Sequence, residues 1–525
     1  MLHLFGKRRW SLDLLPQPWG ELKSIYAYLR AGGADPLPDE QMIFPPNQIR
    51  WVGGAMDGVL GFQSEGDEKS KRVFRIVGAT QRLQQEADGR WLKNLYETII
   101  EDAIVGCIDV VLKELNKSHS NTDRLSEIGR YLAVRAGHRE AVKFGVALIG
   151  VFGTNQDSDI LKTLGKHDEF TAFAAVALAR VSENPERDLW EMAKLVHGWG
   201  RVQIVQRLKD TGDPEIQFWM LREGFRNEIM NEYLACICAR AGRLHERLSQ
   251  HPVDLSLLDA VADIIRALIS GGPAEDIDDY EFAVDACERY VNIVWSRNDL
   301  GLKHFLAVGA VSQFLEQAGG WEKRMGSGWT ELRRETMQAL AKDVLARERW
   351  RDLVRIGLAV NDGQGFYDAN QAAEQLSIDT WAVHLARVKS SPLTSYSWYH
   401  LMRQTDDARI GPVLAFAEFV MPFTEIETGP SDSLGSGPEF QAHQALDWVL
   451  QGLRRFPGRG WRIIKAGLRS PVIRNRNGAI QTLAAWSRGS WTEEMQNAVE
   501  RAQDEEPQQD IKARLESLLS GSEIT

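Results

Sequence analysis

The chain has 525 residues, of which 43% are hydrophobic and 26% charged, and 62 Lys and Arg against 73 Asp and Glu give a formal net charge of −11. This composition excludes a disordered or collagen-like chain, and the length suffices for several domains or one long repeat array. Four cysteines are too few and too scattered for a disulfide framework or a four-thiolate zinc site. We therefore expect a reducing, cytoplasmic setting.

Neither a secretory signal nor a membrane span is predicted. Lys7, Arg8 and Arg9 lie near the N-terminus with no apolar stretch behind them, which is unlike a signal peptide. The most apolar segments, 144–153 and 170–179, are about ten residues long, whereas a membrane-spanning helix needs about 20. We therefore expect no membrane partner.

Residues 1–120 are the least regular part of the sequence, and we interpret them as an atypical N-terminal helical cap. Within them, residues 50–62 hold one acid, Asp57, among apolar neighbours. A carboxylate in such surroundings is costly unless it is paired. Asp57 is therefore a candidate general base with a raised pKa, or else a structural group held by Arg50 or a backbone donor. Small residues that would let another backbone approach closely are Gly53, Gly54, Gly58 and Gly61.

From about residue 121 onward, amphipathic helical patterns follow one another with almost no alternation of period two. The segment 123–136 has an apolar stripe at spacings of three and four, and 140–152 is apolar nearly all round, as expected of an inner helix. The same alternation of a half-polar with an apolar helix returns at 157–166 and 170–181. The sequence therefore predicts an all-α fold.

Two short sequence patterns occur twice in the chain, which indicates an internal repeat. Asn184-Pro185 and Asp213-Pro214 each offer a capping side chain and a proline at the first helical position, 29 residues apart. The triplet Tyr-Leu-Ala occurs at 131–133 and again at 233–235. Both patterns fit a repeat of two short helices, and such periods are typical of solenoids.

On these features the chain resembles the HEAT-like α-solenoid proteins over 121–272 and again over 447–519. In the second region a predicted helix at 461–468, a turn at Ser470-Pro471 and a helix at 474–486 follow in order. The resemblance implies an elongated solenoid of antiparallel helix pairs, with repeats over 121–427 and a C-terminal block over 441–525. Residues 428–440, rich in Gly, Ser and Pro, are interpreted as a flexible linker.

Standard catalytic and cofactor signatures are absent from the sequence. Gly458-Arg-Gly460 lacks the third glycine of a dinucleotide loop, and His245-Glu246 lacks the second histidine of a zinc-protease motif. The other histidines are dispersed singly. Cys236 and Cys238 stand about 200° apart around a helix, so they cannot chelate one ion together. We expect structural histidines, core cysteines, no metal and no cofactor.

An acidic run follows the Gly271-Gly272-Pro273 break and includes Asp276, Asp278 and Asp279. These carboxylates suggest a calcium loop, but the run lacks the central glycine and the distal glutamate of an EF-hand. Acids after a Gly-Pro break are also what a helix N-terminus prefers. We therefore favour a helix start over a calcium site.

Residues 451–490 carry nine basic side chains and no acid, so the segment is +9 in a chain of −11. Guanidinium groups bind carboxylates or phosphates through paired hydrogen bonds, which makes this segment a candidate face for an acidic or anionic partner. In the alternative interpretation, neighbouring acids such as Glu505, Glu506 and Asp510 neutralise it within the fold. We expect one tryptophan, at position 461, to be partly exposed. The candidate binding residues are Arg454, Arg455, Arg459, Trp461, Arg462, Lys465, Arg469, Arg474 and Arg476.

These features favour a non-catalytic binding or scaffold protein whose helical surface takes an acidic protein or peptide. A nucleic-acid-binding HEAT-like protein is the first alternative, although the net charge of −11 disfavours a dominant phosphate-binding role. An enzyme is the second. The segments 50–62, 198–201 and 271–280 resemble a bacterial family sometimes labelled limonene hydroxylases. That resemblance implies hydroxylation by O₂, for which the sequence shows neither a facial triad nor a nucleotide loop.

Overall fold

A computed structural model describes residues 19–33, 36–40, 53–55, 67–86, 88–117, 121–250, 252–360 and 363–522. Within these ranges the chain is helical, and the one β-type pairing is an isolated backbone bridge between Ser433 and Val472. The predicted all-α class is confirmed. A search of the same ranges finds no helix with the length and apolar character that crossing a bilayer requires.

The described residues divide into two compact units, the first ending at Arg347 and the second beginning at Glu348. The helices of the first unit are α1 (Ile25–Arg30), α2 (Asp67–Gln85), α3 (Gly89–Ile99), α4 (Ile108–Lys117), α5 (Thr122–Arg135), α6 (Arg139–Phe152), α7 (Ser158–Leu164), α8 (Asp168–Val181), α9 (Pro185–Ala193), α10 (Trp199–Arg207), α11 (Pro214–Trp219), α12 (Glu232–Ala241), α13 (Leu244–Arg247), α14 (Leu255–Ser270), α15 (Ala283–Ser296), α16 (Leu302–Leu315), α17 (Trp321–Gly326) and α18 (Glu331–Leu345).

The second unit continues the helical numbering and contains the basic segment. Its helices are α19 (Arg349–Ala359), α20 (Gly363–Gln375), α21 (Trp381–Ser390), α22 (Ser395–Gln404), α23 (Ile410–Val420), α24 (Phe423–Ile426), α25 (Gln441–Leu453), α26 (Trp461–Leu468), α27 (Ile473–Ala484), α28 (Glu493–Glu505) and α29 (Gln509–Ser520).

Alternate helices pack against each other in both units. In the first unit α2, α4, α6, α8, α10, α12, α14, α16 and α18 each contact the next member of this series. In the second unit α25, α27 and α29 do the same, α26 contacts α28, and α22 contacts α25, which is three helices further on. The apolar character of these helices explains the order, because a helix such as α6 or α16 buries side chains on nearly every face.

Helix bounds agree with the sequence pattern to within a few residues. The segments predicted at 123–136 and 140–152 are α5 and α6, and the segment predicted at 461–468 is α26. Pro185 and Pro214 occupy first-turn positions as expected, and Asp213 caps α11 by accepting from the Glu215 N–H at 2.8 Å. Asn184 provides no side-chain cap. That capping prediction was wrong: the Asn184 side chain accepts no hydrogen bond from the first turn of α9, and the Asn184 backbone N–H donates to Ser182 Oγ at 3.0 Å.

Glycines permit the closest contacts between helices. A Cβ on Gly145 of α6 would lie 2.5 Å from the backbone nitrogen of Ala133 in α5. Gly54 has a φ of +76°, and a Cβ there would lie 2.6 Å from the carbonyl oxygen of Asp168 at the start of α8. Both distances are shorter than side chains allow, so the close backbone approach expected around Gly53 and Gly54 is present. Arg50 and the candidate base Asp57 lie outside the described residues.

The segment 428–440 lies inside the second unit and makes specific contacts with the turn before α27. The Gly429 N–H donates to the Arg469 carbonyl and the Ile473 N–H to the Ser433 carbonyl, each at 3.0 Å. The Ser431 hydroxyl donates to the Pro471 carbonyl at 3.1 Å. This segment is therefore packed against the C-terminal block, at the turn between α26 and α27.

Candidate functional site

One arginine of the basic segment is fully internal. Arg476 of α27 makes a two-pronged ion pair with Glu506, at 2.7 and 2.9 Å, and each side chain is only 1% exposed. The same guanidinium donates to the carbonyls of Ser470 and Pro471 at 2.9 and 3.0 Å. Arg476 is therefore buried and fully engaged in contacts within the second unit, so a partner protein cannot reach it.

Acids of the second unit also pair with three exposed or half-buried members of the segment. Lys465 lies 2.9 Å from Glu494, and Arg469 lies 3.8 Å from Glu505. Arg462 pairs with Glu427 and covers the ring of Phe423. This pairing corresponds to the alternative interpretation, in which neighbouring helices neutralise the basic charge.

Two further arginines cap helix C-termini. Arg455 donates to the carbonyls of Met402 and Thr405 at the end of α22, and Arg488 donates to the carbonyls of Leu518 and Leu519 at the end of α29. Carbonyls of a last turn lack partners within their helix and carry partial negative charge, so a guanidinium is favoured there. These two side chains hold helices together.

Arg459 lies in the turn before α26, and Trp461 is the first residue of that helix. The Arg459 side chain is exposed. Trp461 is half-buried and packs against the core of the second unit, so the partial exposure expected for it is observed.

The remaining arginines of the segment, Arg454 and Arg474, line a surface groove between α25 and α27, with α29 at its side. The groove has a volume of about 710 Å³. Its walls combine amide side chains with three arginines, one acid and one tryptophan. The lining residues are Gln444, Asp447, Trp448, Gln451, Arg454, Ile473, Arg474, Asn477, Gly478, Gln481 and Arg514.

The positions along each helix explain this lining. Gln444, Asp447, Gln451 and Arg454 follow at intervals of three and four along α25, so they form one stripe. The α27 positions 473–474, 477–478 and 481 form the facing stripe by the same rule. These two stripes border the groove on its two sides.

Two arginines of the groove donate to amide side chains. Arg454 donates to the side-chain oxygen of Gln481, and Arg514 donates to that of Asn477 at 3.0 Å. Within the described part of the chain, Arg454 Nε and Arg474 Nη2 are buried donors without an acceptor. An unsatisfied buried donor is costly, so these guanidinium groups gain from an added acceptor.

Asp447, the acid that lines the groove, already accepts hydrogen bonds from neighbouring side chains. Asp447 accepts from Arg474 Nε and from the Asn475 amide, and Arg474 also donates to the carbonyls of Leu434 and Gly435 at 2.8 and 2.9 Å. Burial raises the pKa of Asp447, whereas Arg474 and Asn475 act in the opposite direction. With three arginines against one acid, the groove keeps a positive balance.

The acidic run of the first unit binds arginines. Arg324 donates to both carboxylate oxygens of Asp278 at 2.7 and 2.9 Å, and this contact lowers the pKa of Asp278. Arg240 pairs with Glu275 and Glu281. Of the three aspartates that suggested calcium, Asp278 is paired with Arg324. The Asp276 and Asp279 carboxylates accept backbone N–H groups within the run, at 2.8 and 3.0 Å. Among the described residues, no group of three or more His, Cys, Asp or Glu side chains is placed to hold a metal ion.

Two buried polar networks were not predicted from the sequence. His304 of α16 contacts Tyr290 Oη and Asp259 Oδ1, each at 2.9 Å. In the second unit the Asn370 amide contacts His384 Nε2 at 2.7 Å and His400 Nδ1 at 3.1 Å, and the two imidazoles stack 4.9 Å apart. Single histidines 14 to 45 residues from their partners give no local signal in the sequence.

All four cysteines are buried and free, as expected of core residues. Burial raises the pKa of Cys236 and of Cys287 to about 12, so both are neutral thiols at physiological pH.

Comparison with protein-family models gives no match, and comparison with curated proteins gives no significant relative. The fold and the groove thus define the class alone: an all-α protein whose C-terminal unit carries a polar, arginine-lined surface groove.

Proposed function

We propose that this chain is a non-catalytic binding or scaffold protein of stacked helix pairs, and that its C-terminal unit takes an acidic protein partner. The observation that carries the proposal is the groove between α25 and α27. There, Arg454 is held by the amide oxygen of Gln481, and a carboxylate would be the stronger acceptor for its guanidinium.

The packing of the helices supports the stacked-pair part of the proposal. In the first unit every second helix from α2 to α18 contacts the next, and in the second unit α25, α27 and α29 do the same, as expected when helix pairs stack on their neighbours. The 29-residue spacing recurs at helix starts as well. His138 and His167, 29 residues apart, cap α6 and α8 by accepting from the Glu140 and Glu169 N–H groups.

Purification of the tagged full chain from its native cells, followed by quantitative mass spectrometry, tests the proposal. The doubly reversed variant Arg454→Glu/Arg514→Glu is compared with wild type and with Arg459→Glu, an exposed arginine outside the groove lining. We expect acidic proteins to co-purify with wild type and with Arg459→Glu, and to be depleted at least tenfold with the double variant. Raised salt should weaken the same association.

Three outcomes would redirect the assignment. An identical set of co-purifying proteins for all three chains would contradict a partner site at the groove. Tight binding of labelled duplex DNA at low salt, lost in the double variant, would favour the nucleic-acid alternative. A flavin or iron absorption spectrum in the purified chain would favour the hydroxylase alternative.

A further inference from the structure

One buried arginine of the first unit has no acidic partner. Four arginines are buried among the described residues, and three of them, Arg72, Arg139 and Arg476, form ion pairs with carboxylates. The fourth, Arg201 of α10, is 7% exposed, and none of the described Asp or Glu side chains pairs with it. Burial lowers the pKa of Arg201. A buried cation without a counter-charge is costly, so an added anion would stabilise the charged form of this side chain.

Backbone carbonyls hold the Arg201 guanidinium in place. Its Nε and Nη1 atoms donate to four carbonyls, which lie at or just after the C-terminal ends of α9 and of the π-helix Met220–Gly224. Carbonyls at a helix end carry partial negative charge and favour a cation. The acceptors are Ala193, Val196, Glu223 and Arg226, at 3.1, 2.8, 3.4 and 2.9 Å. The guanidinium is therefore fixed before a ligand arrives, so binding costs little side-chain entropy.

One nitrogen of this guanidinium stays available. Arg201 Nη2 has no acceptor among the described residues, and it is not one of the buried donors that lack a partner, so solvent reaches it. Arg201 lines a pocket beside α9 and the π-helix, and Nη2 is therefore the atom that the side chain presents to this pocket. A π-helix is rare and occurs frequently at functional sites, which agrees with a ligand site at this position.

Two other cations line the pocket, and each already has an acid. Lys194 pairs with Glu191 at 2.7 Å, and Arg226 pairs with Asp263 at 3.0 Å. Among the described residues that line the pocket, Arg201 is therefore the cation whose charge is uncompensated.

Trp219 gives the pocket an aromatic wall. Its ring is half-buried, and the guanidinium carbon of Arg201 lies 5.8 Å from the ring centroid. Trp190 packs edge-on against the same ring, at a centroid distance of 6.4 Å, and so supports its position. An anion on Arg201 therefore lies next to an apolar surface, and burial of apolar area there adds to the affinity.

Two exposed acids limit the charge that a ligand of this pocket can carry. Glu223 and Glu228 both line the pocket. Each of them repels an anion, and the repulsion is about twice as large for a phosphate dianion as for a carboxylate with its single charge. The lining therefore favours a carboxylate over a phosphate.

We infer that this pocket binds a small organic acid, with the carboxylate on Arg201 Nη2 and the apolar body against the ring of Trp219. The ligand supplies the acid partner that the other buried arginines have within the fold. This site lies in the first unit and does not depend on the proposed partner site in the second.

Titrations of the full chain with small aromatic molecules test the inference. Benzoate carries the carboxylate, and benzamide is its neutral counterpart of nearly equal shape. In NMR saturation-transfer titrations at low salt we expect benzoate to bind about tenfold more tightly than benzamide, because only the carboxylate pairs with the guanidinium. Phenyl phosphate, which is a dianion at pH 8, should bind more weakly than benzoate because Glu223 and Glu228 repel it.

Lys194→Glu tests the role of Arg201 without removing it. Position 194 lies between two residues whose carbonyls hold Arg201, so the new carboxylate should pair with Nη2 and weaken benzoate binding about tenfold. Lys209→Glu makes the same charge change at an exposed lysine outside the pocket lining and should leave the affinity for benzoate unchanged. Arg201→Gln should abolish benzoate binding, with circular dichroism as the check that this variant is folded.

Three results would overturn the inference. The first is equal affinity of wild type for benzoate and benzamide. The second is benzoate binding by Lys194→Glu at wild-type affinity. The third is tighter binding of phenyl phosphate than of benzoate, which would assign a phosphate ligand to the same cation. None of these results bears on the partner site, because that site is tested at Arg454 in the second unit.

Discussion

At the scale of single residues, the ion pair between Arg476 and Glu506 shows how the fold treats a buried charge. Two ions are costly to take out of water, and their attraction offsets that cost only when the remaining donors and acceptors are satisfied. Here the carbonyls of Ser470 and Pro471 take further N–H groups of the guanidinium, and the Gln508 N–H donates to Glu506 at 3.1 Å. The pair therefore joins α27 to the segment before α29.

Replacing only Arg476 should lower the free energy of unfolding far more than replacing both Arg476 and Glu506. We expect Arg476→Met to lower the free energy of unfolding by about 3–5 kcal/mol, because Glu506 would be left buried and unpaired. The double change Arg476→Met/Glu506→Met should recover most of that loss. Urea unfolding followed by circular dichroism measures both.

The exposed pair of Lys465 and Glu494 provides the matched control. Lys465→Met should cost less than about 1 kcal/mol, because solvent screens this pair. A loss as large as that of Arg476→Met would show that burial is not the cause of the difference.

Glycine substitutions should have opposite signs at two helical positions of the first unit. Gly145→Ala should destabilise by about 1–3 kcal/mol, since its Cβ would meet the Ala133 nitrogen at 2.5 Å and the Gly129 carbonyl oxygen at 2.7 Å. Gly78→Ala in α2 should stabilise by about 0.5–1 kcal/mol, because nothing lies within 4 Å of its Cβ position. Thermal unfolding of the two variants measures both changes. A change of the same sign in the free energy of unfolding of both variants would contradict the argument from helix contact.

At the scale of elements, the buried pair of His384 and His400 makes the packing of α20, α21 and α22 dependent on pH. Burial lowers the pKa of His384 to about 3, with the neighbouring His400 acting in the same direction, and burial also lowers the pKa of His400. Glu374 lies 3.7 Å from His400 Nδ1 and opposes the shift there, whereas Arg403 adds to it. Both imidazoles are therefore neutral in the folded protein.

The sign of the pH effect follows from these shifts. An unfolded histidine binds a proton below about pH 6.5, whereas folded His384 resists one until about pH 3. The stabilisation that comes from burying neutral His384 is fully present above about pH 6.5. It is lost as the pH falls from about 6.5 towards about 3. At pH 5 the loss from His384 alone should be about 2 kcal/mol.

Urea unfolding at pH 7 and pH 5 measures this loss. His384→Gln should show a smaller difference between the two pH values than wild type, by about 2 kcal/mol. His197→Gln, at an exposed histidine, should behave as wild type. Identical differences for wild type and His384→Gln would contradict the assignment.

Most helices were predictable from the sequence because their pattern is local. The bounds of α6 and α26 follow from apolar spacing and from a glycine, proline or capping residue within a few positions. Asn184 is the exception, since the donor–acceptor choice among Ser182, Asn184 and their neighbours depends on the fold of the turn. The histidine networks were not predictable, because each joins separate helices.

At the scale of the whole molecule, the second unit has a core of its own. One cluster of buried residues extends from Val388 to Leu518 and includes Trp398 and Trp486. A cluster of this size is what an independently folding domain requires.

A fragment spanning 348–525 should therefore fold alone. We expect a helical circular dichroism spectrum and one cooperative urea transition monitored by tryptophan fluorescence, with a free energy of unfolding of about 5–15 kcal/mol. The fragment Leu255–Ser270, a single amphipathic helix, should remain largely unfolded as a control. A gradual, non-cooperative transition of 348–525 would show that its core is incomplete.

The candidate site was predictable in part. The basic segment could be found by counting charges, and the amides on α25 and α27 share the helical spacing that places them on one stripe. Glu506 could be named as one of the acids that neutralise the segment. That it pairs with Arg476, and that Arg455 and Arg488 cap helices, could not be known, because these partners lie 30 or more residues apart.

The sequence by itself determined the helical class and the positions of most helices, since helix formation depends on neighbours three and four residues apart. Tertiary structure alone decided which arginines meet a carboxylate and which line an open groove. Charge pairing depends on distances of a few ångströms between side chains of different helices, and packing sets those distances.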